Sequence, residues 1–359
     1  MSSSNKLITW QKRLAPSPTM TVAVTVSSIL LALLFGSVLL ISTGFSPLEV
    51  YHDMFTGAYG STYGLSETIV KAIPLMLAGL GVSIAFRMQL WNIGAEGQFY
   101  MGAFGASGLA LAFPSWPGYI LLPLMVVAGC AMGGLWALLS AVPKAKWNVN
   151  EVITTLMLNY VAILWVDYLV YGPWKDPQGH NFPLSARFSP GATLPAFGNT
   201  RVHLGLVFAI VAAAIIYLAL RRTRWGFEIR VIGENSRAAS YAGMNIRRNV
   251  LLAMFISGAL AGLAGMSEVA GITHRIQHDI SPGYGYTAVI IAWLAKLHPV
   301  AIVLVSVLFG GLIVGGYTVQ TSGVPSATVY MLQGAILFFV LGSEIVTHYR
   351  IHFGRKEEE

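Results

Sequence analysis

The chain alternates long apolar runs with short polar intervals, and one polar interval is far longer and more basic than most. A helix needs roughly 17 to 25 mostly apolar residues to cross a bilayer. On that measure the predicted spans are Met20 to Ile41, a short and loosely built one between Lys71 and Arg87, the run after Arg87 as far as Phe113, Tyr119 to Val142, Glu151 to Tyr171, Leu204 to Leu220, Val250 to about Gly271, Tyr284 to Ala295, Pro299 to Thr318, and Ser326 to Ser343. The first run is too long for the apolar core of a cleaved signal peptide, about 7 to 15 residues. The eighth is too short to cross upright. Thr43 to Glu67 holds Glu49, Asp53 and Glu67 without a lysine or arginine and is predicted to be external. Gly172 to His203, rich in proline, glycine and aromatic residues, is an external loop long enough to fold over the outer face.

The prediction is therefore an all-α, polytopic membrane bundle of about ten helices. Its parts are a first repeat at about 20–171, the loop 172–203, a second repeat at about 204–349 and a tail 350–359, one transmembrane domain in all. Two five-helix sets in this order are inverted relative to each other, as in many transporters. The second span, interrupted by Pro74, Gly79 and Gly81, and the short eighth are the discontinuous segments that often border a translocation path. Glycine pairs Gly129 and Gly133, Gly258 and Gly262, and Gly311 and Gly315 stand four apart and allow close helix packing in lipid.

The long polar interval, Arg221 to Asn249, carries seven arginines and two glutamates and runs straight into a small-residue apolar helix. Within it, Asn235 or Ser236 is placed to cap a short helix over Arg237 to Ala242. Gly243 supplies a left-handed stop. Seventeen of the chain's 22 lysines and arginines fall on the same side as this interval, so that side is cytosolic and both termini are inside.

Composition then removes alternatives. Hydrophobic residues make up 55% of the 359 and charged ones only 10%, which a water-soluble surface could not accommodate. The net charge of +7 sets topology and gives no reason to expect nucleic acid. The one cysteine, Cys130, excludes a disulfide framework and a zinc-finger spacing. No Gly-Lys dipeptide occurs, so the chain has no Walker A loop with which to bind ATP itself.

A few polar residues lie where apolar ones are expected. Glu96 in the third span costs about 2.5 to 3.5 kcal/mol at membrane depth unless it faces protein or water. It either caps a helix start at the turn Asn92 to Gly94 or lines a pathway, and Trp91, Asn92 and Gln98 go with it. Asn159 and Glu268, on the fifth and seventh spans, are further pathway candidates. His274 and His278, four apart, could share a helical face as a metal pair, but no third ligand or HExxH frame accompanies them and an external loop is the simpler expectation. No nucleophile-base set is present, so an intramembrane enzyme is not supported. An ion-driven carrier needs a buried titratable pair, and the scarcity of charge in the spans argues against one.

Two stretches add a resemblance. WNIGAEGQFYMGA (Trp91 to Ala103) and GENSRAASYAGMNIRRN with the following SGALAGLAG (Gly233 to Asn249, Ser257 to Gly265) resemble permease subunits of bacterial ABC importers of the branched-chain amino acid, ribose and nucleoside class. The first is most similar to the nucleoside permeases that work with basic-membrane-protein-type lipoproteins. The resemblance implies a multi-pass protein of the bacterial cytoplasmic membrane, paired with a second related permease. It also implies cytosolic ATPase subunits that hold the ATP and Mg, with no cofactor in this chain, and an external solute-binding protein. The implied solute is small and polar, a nucleoside first and a ribose-type sugar as the alternative. The short cytosolic helix becomes a coupling helix docking on the ATPase, with Glu234, Asn235, Arg237, Ala238, Ala239, Tyr241 and Gly243 as its residues. Small Ala238, Ala239 and Ala242 would let it seat closely, and Tyr241 would anchor it.

Overall fold

The computed structural model describes residues 8–12 and 18–353. In chain order these form β1 (Ile8–Lys12), α1 (Pro18–Ser42), α2 (Pro47–Tyr59), α3 (Thr62–Arg87), α4 (Ala95–Ala112), α5 (Gly118–Trp147), α6 (Glu151–Tyr171), a 3-10 turn (Pro190–Ala192), α7 (Gly205–Arg222), α8 (Arg224–Glu234) and α9 (Ser236–Tyr241). Then come α10 (Ile246–Glu268), which runs into a π turn (Val269–Thr273), α11 (Tyr284–Leu294), α12 (Pro299–Thr321), α13 (Ser326–His348) and β2 (Tyr349–Phe353). Lys6, Arg13 and the tail from Gly354 onward, all used in the topology prediction, lie outside the described residues.

Among the described residues seven helices are long and apolar enough to cross a membrane: α3, α5, α6, α7, α10 with its π turn, α12 and α13. The pair α1 and α2, bent by 117° at Thr43 to Ser46, makes an eighth if taken as one span. α4, with Glu96 and Gln98 in its first turn, is not among the seven, and α11 has only 11 residues.

One expectation needs correcting. The second span is not short: α3 runs 26 residues and continues unbroken through Pro74. Lys71, which bounds the predicted span, lies inside the helix and pairs with Glu268, and Glu67 one turn earlier pairs with Arg201. Thr43 to Glu67, predicted as an external segment, contains α2 and the head of α3. Ser61 starts α3 by accepting from the Gly64 N–H at 3.0 Å.

The chain divides into two compact units, one of residues up to Gly57 and from Gly315 onward, the other of Ala58–Val314. In the first, α1 lies along α13, with the Phe35 and Phe339 rings 5.9 Å apart. The Tyr51 hydroxyl donates to the Leu33 carbonyl at 2.7 Å and ties α2 back to α1. β1 and β2 pair antiparallel, from Ile8 opposite Phe353 to Lys12 opposite Tyr349.

In the second unit α3 is the buried axis and α10 packs on α3, α4 and α5. The predicted glycine pairs explain this closeness: Gly129 and Gly133 of α5 face Gly258 and Gly262 of α10, backbone against backbone. A methyl group on Gly262 would strike the Gly129 carbonyl, and one on Gly102 would strike Gly262. Helices of this kind hold by van der Waals contact, since lipid provides no hydrophobic drive between them. The loop 172–203 is stitched to the segment after α10 through Ser185 N–H to Ile276 O (2.9 Å), Phe188 N–H to His274 O (2.8 Å) and Leu194 N–H to Ala270 O (2.9 Å).

Candidate functional site

α4 and α11 begin head to head inside the second unit, and Glu96 joins them. Its Oε2 accepts from the Gly285 N–H at 2.6 Å, while Ser281 Oγ accepts from the N–H groups of Gly283 (3.1 Å) and Tyr284 (2.9 Å). The first free donors of α11 are thus satisfied, and a carboxylate stands at the positive end of that helix. Gly285 is required for the approach, because a Cβ there would fall on the Glu96 backbone. The capping role expected of Glu96 is real, but for α11 and not for the turn before its own helix. At that turn the acceptor is Asn92 Oδ1, 3.1 Å from the Gly94 N–H.

Around this junction the polar side chains use one another up. Asn92 and Gln98 exchange two hydrogen bonds, at 3.0 and 2.9 Å, and Asn92 Nδ2 also donates to Ser257 Oγ at 2.9 Å. Asn159 accepts from the Gly97 N–H at 2.8 Å and donates to the Ile93 carbonyl at 2.9 Å and the Tyr286 hydroxyl at 3.2 Å. Asn92, Glu96, Gln98 and Asn159 are each no more than 2% exposed. The structure therefore brings together four of the six pathway candidates as a closed knot. Trp91 stands beside it and is 42% exposed, with Phe86 and Trp293 at 5.2 and 5.5 Å.

Glu268, the sixth, lies elsewhere. Its Oε1 is 3.9 Å from Lys71 Nζ, with side chains 4% and 19% exposed. Near the start of α3, Arg201 meets Glu67 at 3.1 Å. The expected scarcity of buried charge does not hold, since these carboxylates come with partners from distant parts of the chain. Two charges four apart in an apolar run, Glu67 and Lys71, were the available signal, and nothing local names their partners. His203, at the end of the loop before α7, is buried, and desolvation pulls its pKa down to about 4, with His274 and Arg201 adding to the effect. Its Nδ1 accepts from the Gly205 N–H at 3.1 Å, so the ring is neutral with the proton on Nε2.

His274 and His278 do not share a helical face. His274 has φ +51° and ends the π turn, whereas His278 Nδ1 bonds Asp167 of α6 at 2.7 Å and its Nε2 meets Asp279 at 3.2 Å.

On the Arg221 to Asn249 side the local prediction is met closely. Asn235 Oδ1 accepts from the N–H groups of Arg237 (3.1 Å) and Ala238 (3.0 Å) at the head of α9, and Gly243 closes it at φ +78°. Glu234, Arg237 and Ala238 are exposed, and Tyr241 is 94% exposed. Ala239 is fully buried against its own chain, so it does not belong to a docking face. The start of α9 borders a groove of about 840 Å³ with Lys144, Lys146, Arg237 and Arg247 on its walls. Its end borders a second, of about 620 Å³, with Arg221, Arg222, Arg224, Arg230 and Arg248.

Comparison with known proteins fits this architecture. Residues 64–341 match the family described as branched-chain amino acid transport system / permease component. The chain is 40% identical over 338 residues to the glucose ABC transporter permease protein of Haloferax volcanii, covering 91% of this chain and 88% of that one. It is 36% identical over 320 residues to the guanosine ABC transporter permease protein of Bacillus subtilis, covering 88% and 92%. To the nucleoside ABC transporter permease protein of Lactococcus lactis it is 29% identical over 328 residues, covering 89% and 90%. These matches run the length of whole permeases, so they reflect more than one shared motif. With its several membrane-crossing helices, the chain belongs to the branched-chain amino acid transport system / permease component family, as a multi-pass permease of an ABC importer.

Proposed function

We propose that this permease carries a nucleoside inward across a cytoplasmic membrane, as one half of a translocation unit driven by ATP. The seven long spans, the bent pair α1 and α2, and the partial crossings α4 and α11 make ten segments, read as two inverted repeats at about 20–171 and 204–349. In this reading α8 and α9 lie in the cytosol, as do both termini, which the positive-inside bias of the arginine-rich loops supports. α9 is the coupling helix. Its partner is an ATPase subunit, which binds ATP and Mg and does the hydrolysis; this chain contributes no cofactor. A second related permease completes the path, and an external binding lipoprotein delivers the solute. Closure of the ATPases moves α9, and α9 moves α8 and α10, against which it packs.

The observation that carries this reading is the full-length likeness to the guanosine and nucleoside permeases. Supporting it, the Trp91 to Gln98 stretch that resembles nucleoside permeases is the one folded into the junction of α4 and α11. Of the pathway candidates, Trp91 is retained for contact with solute, while Asn92, Glu96, Gln98 and Asn159 are assigned to framing. The 40% identity to a glucose permease supports a second reading, a hexose carried by the same machinery.

Vesicles holding the permease pair, ATPase and binding protein should take up labelled guanosine only with ATP. Unlabelled adenosine should compete, and a protonophore should have no effect. Uptake of glucose alone would replace the first solute by the second. Uptake abolished by the protonophore with ATP present would point to an ion-driven carrier, for which the Lys71 and Glu268 pair would be the titratable centre.

A further inference from the structure

α7 carries a stripe of exposed apolar side chains that ends on a basic groove. Val207, Val211, Ile215 and Leu218 follow one another at helical spacing on one face and are 41 to 60% exposed. One further turn along the same face reaches Arg222. There α7 meets the groove of about 620 Å³ walled by Arg221, Arg222, Arg224, Arg230 and Arg248, every one of them exposed. The Arg221 guanidinium lies 4.6 Å over the Tyr217 ring, which keeps it at the last turn of the span.

The chain itself leaves these charges unanswered. The one carboxylate on the groove, Glu228, accepts from the Asn249 amide at 2.7 Å, and none of the five arginines forms an ion pair among the described residues. Like charges gathered in one groove favour an anion between them. Phe227 stands on the same wall and is 54% exposed. An exposed phenylalanine among arginines suits a helix lying at a membrane surface, with its ring toward the acyl boundary and its cations toward the headgroups.

Two anionic occupants compete for such a groove, the acidic face of a protein in the water phase and the headgroup of a lipid. A water-phase protein can meet the arginines but not the stripe, which runs roughly 22 Å up a membrane-crossing helix. Only a phospholipid brings an apolar length and an anionic end in that order. We propose that the groove between α7, α8 and the start of α10 holds the phosphate headgroup of an anionic phospholipid whose acyl chains lie along Val207 to Leu218. Guanidinium groups suit phosphate because each offers paired donors in one plane. A zwitterionic headgroup brings its own cation among the arginines and is disfavoured there.

The test is retention of phosphatidylglycerol over phosphatidylcholine by the full-length permease, taken from mixed vesicles into mild detergent and read by native mass spectrometry. Arg222→Gln with Arg248→Gln should lower the preference about 25-fold, roughly fivefold per charge. Arg222→Lys with Arg248→Lys keeps the charges and should stay within about threefold of wild type. Arg187→Gln with Arg275→Gln, beyond the other end of α10, should leave the preference unchanged. Equal preference in wild type and the Arg222 and Arg248 glutamine variant would overturn the site. An equal loss in the Arg187 and Arg275 variant would overturn it in favour of diffuse charge attraction. Displacement of the lipid by inorganic phosphate, but not by chloride at the same ionic strength, would overturn it in favour of a free-anion site. Unchanged lipid preference with loss of the ATPase from the Arg222 and Arg248 glutamine variant would overturn it in favour of protein docking.

Discussion

α9 and the junction of α4 with α11 are both helix starts satisfied by side chains, yet they differ in nearly everything else. The cap of α9 comes from Asn235, two and three residues from the donors it serves. The cap of α11 comes from Glu96, 189 residues from Gly285. The first leaves an exposed face free for a partner; the second is closed to solvent and to partners alike. A polar residue in a membrane helix is thus not by itself a mark of the path, because at the junction such residues hold backbone ends that neighbouring helices leave unpaired.

Breaking the junction should cost most. Glu96→Ala leaves the Gly285 N–H and the Ser281 hydroxyl without their acceptor in a low-dielectric interior, a loss on the order of 3 kcal/mol. The expected outcome is poor accumulation and a lowered Tm in detergent, with Glu96→Gln, which keeps an acceptor, much closer to wild type. A variant that accumulates and melts normally but transports with altered KM would return Glu96 to the path. Next comes Ala239→Arg, which forces a long charged side chain into a filled site at about 1 to 3 kcal/mol. It should lower Tm as well as transport, so it would be a poor probe of coupling even though its position in the sequence suggests otherwise. Asn235→Ala should cost about 1 kcal/mol of local helix stability, seen as faster hydrogen exchange confined to α9.

The smallest effect is at His278, in the segment between α10 and α11. The Asp167 carboxylate, with Asp279 adding, holds the His278 pKa above its ordinary value. Protonation is thus favoured in the folded state, and the contribution is full below about pH 6.5 and lost as pH rises through the elevated folded value. Half exposure and salt screening keep it small. Cleavage in the 274–283 segment by added protease should be slower at about pH 5.5 than at about pH 8.5 relative to a His278→Asn control, which should lose the difference.

The same contrast shows how much the sequence discloses. α9, its Asn235 cap, its Gly243 stop and the facing glycine pairs of α5 and α10 are legible because each depends on spacing within a few residues. The true length of α3 and the target of Glu96 are not legible, because each depends on partners distant in the chain: Arg201 for Glu67 and Glu268 for Lys71 in the one, Gly285 for Glu96 in the other. The engagement of the pathway candidates is hidden for the same reason. Asn92, Gln98 and Asn159 look unpaired in one dimension and are fully engaged in three.

The central claim is that energy enters through the exposed face of α9 while the buried junction only holds the frame. Tyr241→Ala in the reconstituted transporter tests it most directly, because that side chain touches so little of its own chain. The account predicts an unchanged Tm of the permease alone together with loss of ATP-driven uptake. Full uptake at wild-type ATP cost, or a Tm lowered as far as that of Glu96→Ala, would contradict it.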